Sequence, residues 1–122
     1  MSDEFLKVAR QEIQSELDEL ERVVLHCNND ELIFKNSQSI ESHFHKIVGL
    51  APMIGQEKMG EMAKIIDNIL KHIISKGPLS DSYPIISRTI EDMKKVFHGL
   101  NVYDVSEFRR YVRSKFPYIL DL

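Results

Sequence analysis

Five histidines and one cysteine carry the nucleophilic and ligating potential of this 122-residue chain. His45 has the most informative surroundings. It lies in a run where Ile40, Phe44, Ile47 and Ala51 recur at spacings of 4, 3 and 4, the apolar stripe of an amphipathic helix. At 100° per residue, His45 points about 130° away from the centre of that stripe and Gly49 about 170° away. The two stand one turn apart on the exposed side. A glycine inside a helix costs about 1 kcal/mol against alanine. Beside an exposed imidazole, it leaves room for a second molecule to approach a ring nitrogen. His43 and His45 point about 200° from each other and do not easily share an ion, so no metal site is assigned. His26, His72 and His98 have no partners at informative spacing. Cys27 sits beside a turn and reads as inert.

The elements that position these residues are helical. Leu6, Ala9, Ile13, Leu17, Leu20 and Val24 form one stripe, predicting a helix from Ser2 to about His26 with Ser2 as N-cap and Asp3 and Glu4 in the first turn. Cys27-Asn28-Asn29-Asp30 reads as a turn. The second helix starts either at Glu31, capped by Asp30, or near Ser39 after the poor helix formers of residues 36–39. Pro52 ends or kinks it and Gly55 marks a turn. A third helix over about 56–76 carries Met59, Met62, Ile66, Ile69 and Ile73, and stops at Gly77-Pro78. A fourth, capped by Ser80 or Asp81, runs to about His98 with Ile86, Ile90, Met93 and Phe97 inward, and Gly99 closes it. Asp104 or Ser106 caps a short fifth with Phe108, Tyr111 and Val112. The tail from Phe116 to Leu120 is placed over one end. Met53, Met59 and Met62 read as core filling. The expected fold is all-α: an up-and-down antiparallel four-helix bundle with a shorter fifth C-terminal helix, in a single domain over residues 1–122.

Composition narrows the function classes. Hydrophobic residues make up 43% and charged residues 29%, a globular balance. No apolar run is long enough for a membrane span, and the acidic start Met1-Ser2-Asp3-Glu4 does not resemble a secretory signal. One cysteine allows no internal disulfide, which fits a cytoplasmic setting. The net charge of −3 gives no general attraction to nucleic acid. Arg109, Arg110, Arg113 and Lys115 form a local basic patch, read as a solvated helix face with a small docking patch as the alternative.

The stretch His45-Lys46-Ile47-Val48-Gly49-Leu50-Ala51-Pro52-Met53-Ile54-Gly55 resembles the motif of histidine phosphotransfer (HPt) domains. That motif has a histidine, an apolar residue two on, a lysine three on, a glycine four on, a small residue six on and a glycine ten on. His45, Ile47, Gly49, Ala51 and Gly55 match it. Val48 stands in the lysine's place, and Pro52 is a second departure. Met59, Met62-Ala63 and Ile66-Asp67 in the next helix are also similar to the family. The nearest form is the N-terminal phosphotransfer domain of chemotaxis-type histidine kinases, where a carboxylate 22 residues after the histidine orients its ring. Asp67 holds that spacing. His43 is a competing acceptor because Lys46 follows it by three, but Ile47 stands where the glycine would be.

The resemblance implies a phosphoryl carrier rather than an enzyme. His45 would take a phosphoryl group on one ring nitrogen while the other, protonated, donates to Asp67. The family lysine places positive charge near the phosphoryl oxygens, and Lys64 is the candidate substitute for Val48. Gly49, Val48, Leu50 and Lys46 would line the face that docks a receiver. The implied partners are a receiver domain of a response regulator, a histidine kinase, or both. Neither nucleic acid nor membrane is implied, and the isolated domain is expected to be a monomer. No cofactor is expected on this chain, because the magnesium belongs to the partner. The alternative is a pseudo-HPt adaptor that docks a receiver or kinase without efficient transfer.

Overall fold

The first helix, α1 (Asp3–Cys27), begins where Ser2 accepts a hydrogen bond from the Phe5 amide at 3.1 Å. It ends at Asn28, which takes the left-handed conformation at φ 51°. The computed structural model describes residues 2–100 and 104–119. Met1 and Leu120, which figure in the readings of the two chain ends, lie outside the described residues.

The predicted second helix is two helices. Asn29, rather than Asp30, caps α2 (Asp30–Lys35) by accepting from the Leu32 amide at 2.8 Å. Asn36 then ends it: its backbone N–H and its side chain both donate to the Leu32 carbonyl. The Ser37 hydroxyl donates to the Phe34 carbonyl. These local bonds compete with helix continuation, the behaviour expected of Asn and Ser. The next helix, α3 (Ser37–Leu50), starts again at once and buries Ile40, Phe44 and Ile47. Pro52 stops it as expected and opens a 3₁₀ turn, Pro52–Ile54, closed by Gly55 at φ 77°. Met53 lies exposed on that turn instead of filling the core.

The helix α4 (Glu57–Lys76) sinks Met59, Met62, Ala63, Ile65, Ile66, Ile69, Leu70 and Ile73 into the core. Each of the Met, Ile and Leu side chains contributes about 1.5–3 kcal/mol when fully removed from water. Gly60 lets it approach the end of α3, where an added Cβ would touch Pro52 Cδ at 3.4 Å and Ala51 Cβ at 3.5 Å.

Asp81 occupies the N-cap position of α5 (Ser82–Phe97) but makes no side-chain cap. Asp30 caps it from outside. Its carboxylate accepts from the Asp81 amide at 2.9 Å, the Tyr83 amide at 2.8 Å and the Ser82 hydroxyl at 3.3 Å. The last helix, α6 (Val105–Lys115), is capped by Asp104, which accepts from the Ser106 and Glu107 amides. It buries Val112, while Tyr111 is exposed. Phe116 and Ile119 of the following tail are buried.

The described residues thus form six α-helices and no strand. Packing runs α1 on α3, α3 on α4, α4 on α5 and α5 on α1, with α6 laid on α4. No helix among the described residues is long and apolar enough to cross a membrane.

Candidate functional site

The site lies where α3 meets α4. Ile40, Phe44 and Ile47 anchor the inner face of α3 in the core, which turns His45 and Gly49 outward. The His45 side chain is 66% exposed, and an added Cβ at Gly49 would meet nothing within 4 Å. On α4, Asp67 belongs to the buried face between Ile66 and Ile69. Its carboxylate reaches the surface only at the seam, where Oδ2 stands 3.5 Å from His45 Nδ1. That is longer than a well-formed hydrogen bond of about 2.7–3.2 Å. Among the described residues, the hydrogen bond and ion pairs of the ring are all made at Nδ1.

Two further groups complete the constellation. Glu41, one turn before His45 on α3, brings Oε2 to 3.7 Å from His45 Nδ1. Lys71, one turn after Asp67 on α4, brings Nζ to 3.3 Å from Asp67 Oδ2. Asp67 Oδ1 is buried with no hydrogen-bond donor. Two ionised carboxylates cannot donate to each other, but Glu41 holding a proton can donate to Asp67. The Glu41 carboxyl is accordingly pushed up to about 7. The hydrogen bond to Asp67 is the largest cause, followed by burial and the Asp67 charge; His45 and Lys71 pull the other way.

The other expected site residues separate into groups. Val48 is half-buried against the core and Leu50 partly so, with Gly49 open between them. Lys46 turns away from His45 to Glu16, with Nζ 3.4 Å from Oε1. Lys64 is exposed and makes no ion pair among the described residues, so the cation placed at Asp67 is Lys71. Glu41 and Lys71 were not singled out from sequence. Their signal was the spacing of four from His45 and from Asp67, on the same helix faces.

A second histidine cluster faces α1. His43 Nδ1 contacts the buried carboxylate of Glu16, the same group that Lys46 approaches. The His43 side chain is only 18% exposed. The remaining histidines serve local packing: His26 Nδ1 bonds the Arg22 carbonyl, His72 lies against Tyr118, and His98 against Phe97. Cys27 is buried and its thiol is pushed up, chiefly by burial, which keeps it from forming thiolate. In the basic patch, Arg109 pairs with Glu61 and Lys115 with Asp81.

No family model, curated protein or solved structure matches the chain.

Proposed function

We propose that this chain is a histidine phosphotransfer domain of a two-component phosphorelay, carrying a phosphoryl group on His45. The observation behind this reading is an exposed imidazole whose Nδ1 alone is turned toward a buried carboxylate, at 3.5 Å from Asp67 Oδ2. In this reading α1, α3, α4 and α5 form an up-and-down antiparallel bundle, with α6 as the short addition. The domain is a cytoplasmic carrier, not an enzyme, and works as a monomer with a receiver domain or histidine kinase that brings its own magnesium.

The chemistry follows from the tautomer. Asp67 favours the proton on Nδ1, which leaves the Nε2 lone pair free. Nε2 attacks the phosphorus of a receiver's aspartyl phosphate in line. The new N–P bond forms as the bond from phosphorus to the aspartate oxygen breaks, and the receiver carboxylate leaves with that electron pair. The Nδ1–H stays in place, where Asp67 stabilises the positive charge that develops on the ring. The bare backbone at Gly49 gives the receiver loops access to Nε2.

Incubation with a phosphorylated receiver or an active kinase should label the protein with acid-labile, base-stable phosphate. His45→Gln should abolish the label and His43→Gln should keep it. Equal labelling of the His45→Gln variant would refute the assignment.

One observation favours a second reading, that of an adaptor which docks without transfer. Val48 packs on the core where the family carries lysine, and two carboxylates flank the ring. Receiver binding without labelling would select this reading.

A further inference from the structure

We infer that Glu41, His45 and Asp67 form a binding site for a divalent transition ion of the zinc class. One ligand atom from each of the three lies within 4.8 Å of the other two. The two separations from the imidazole fit coordination better than hydrogen bonding. Two ligands held 2.0–2.1 Å from a tetrahedral ion stand about 3.4 Å apart. His45 Nδ1 stands 3.5 Å from Asp67 Oδ2 and 3.7 Å from Glu41 Oε2. A hydrogen bond would draw each pair in to about 3 Å.

The second observation is the state of Asp67. Its side chain is 5% exposed, yet Oδ1 has no hydrogen-bond donor. Buried carboxylate oxygens are normally satisfied, and one left bare is strongly unfavourable. An ion at the seam would place a second positive charge beside this carboxylate. Lys71 approaches the same group through Oδ2, but its side chain is 56% exposed and free to swing outward.

The donor set selects the ion. One imidazole nitrogen with two carboxylate oxygens suits zinc and its neighbours. Magnesium and calcium prefer all-oxygen shells. Once Glu41 gives up to solvent the proton it shares with Asp67, two carboxylates balance the charge of a divalent ion, and three protein ligands leave a fourth position open on the solvent side. Glu41 and His45 are preset for this by their spacing of four on one helix, and Asp67 comes from the rigid partner helix.

Ion binding stands whether or not the protein transfers phosphate. Its consequence rests on the phosphorelay reading. A metal on Nδ1 needs that nitrogen's lone pair, so the ring proton moves to Nε2. Nε2 then has no lone pair with which to attack phosphorus. Metal occupancy and phosphoryl acceptance therefore exclude each other.

The test is calorimetric titration of the full chain with zinc chloride near neutral pH. One ion per chain is expected, and Glu41→Gln and His45→Gln should each weaken binding by at least about tenfold. Loss of a mere supporting partner already costs about 10–100-fold. Neither residue belongs to the buried face of α3, so the variants should fold, and circular dichroism checks this. A zinc-induced shift of the His45 Nδ1 nitrogen resonance would identify the atom. The inference is overturned by absence of binding below about 100 µM. It is equally overturned by binding that both variants retain, which would place the ion on other histidines. Labelling without zinc binding would remove this inference and keep the phosphorelay reading. Zinc binding without labelling would do the reverse.

Discussion

His45 Nδ1 and Asp67 Oδ2 stand 3.5 Å apart across the α3–α4 seam, one side chain 66% exposed and the other 5%. In the proposed carrier this asymmetry has a functional consequence. The buried member is fixed by the core around it, so it can hold the exposed member in one orientation and one tautomer while leaving the far side of the ring to a partner.

Asp67→Asn should keep the imidazole but remove its orienting charge. If the chain carries phosphoryl groups as proposed, acceptance from a receiver should fall by about 10²-fold or more, the usual scale for loss of a positioned proton partner. Stopped-time labelling of wild type and variant, with folding checked by circular dichroism, measures this. Labelling at the wild-type rate would show that Asp67 has no part in the step.

Gly49 separates stability from docking. Space around its Cα is open, so Gly49→Ala should stabilise α3 by roughly 0.5–1 kcal/mol in chemical denaturation. Gly49→Gln should fold as well as alanine but slow transfer, because its side chain occupies the approach to His45. Transfer at the wild-type rate in the glutamine variant would mean that receivers approach from another direction.

The Glu41 carboxyl titrates at about 7 in the folded protein against an ordinary 4.5. The folded state therefore holds a proton that the unfolded state releases between these values. Stability should decline as pH rises from about 4.5 to 7 and level off above, because the ionised form is disfavoured beside Asp67. Glu41→Gln should flatten this slope and be the more stable protein at pH 8. Urea midpoints across the range read the difference, and parallel pH profiles for the two proteins would refute it.

Asp30 binds two amides and a hydroxyl at the start of α5. Asp30→Ala should cost about 1–2 kcal/mol, at the upper end for loss of a helix cap, since the amides are left partly buried. Asp30→Asn keeps an acceptor and should lose less. Denaturation midpoints would check the order of the three proteins.

The periodicities of α1, α4 and α5, the Ser2 cap and the stop at Pro52 are local properties, and each was legible in the sequence. So was the outward direction of His45 and Gly49, because it depends only on which residues of α3 are apolar. The split between α2 and α3 was half legible. The weak helix formers at 36–39 were visible, but not the bonds from Asn36 and Ser37 back to α2. The sequence offers Ser80 or Asp81 as the cap of α5, because nothing in it links Asp30 to a position 51 residues away. Met53 was placed inside by its apolar nature, whereas the turn after Pro52 carries it outward. At the site, Glu41 and Lys71 went unnoticed although their spacing of four was in view. Such pairs are common on any helix, and only the meeting of α3 with α4 distinguishes these.

The carboxylate of Asp30 also orders events as the chain folds. Six residues are too few for α2 to persist as an isolated helix in water. The first turn of α5 is likewise incomplete until Asp30 arrives. Each segment therefore becomes stable only in the presence of the other, and closing the loop between them is the entropic step that both await. Hydrogen exchange should report the amides of α2 and of Asp81 and Tyr83 opening together as one cooperative unit, although Asp30 and Asp81 are 51 positions apart in the chain.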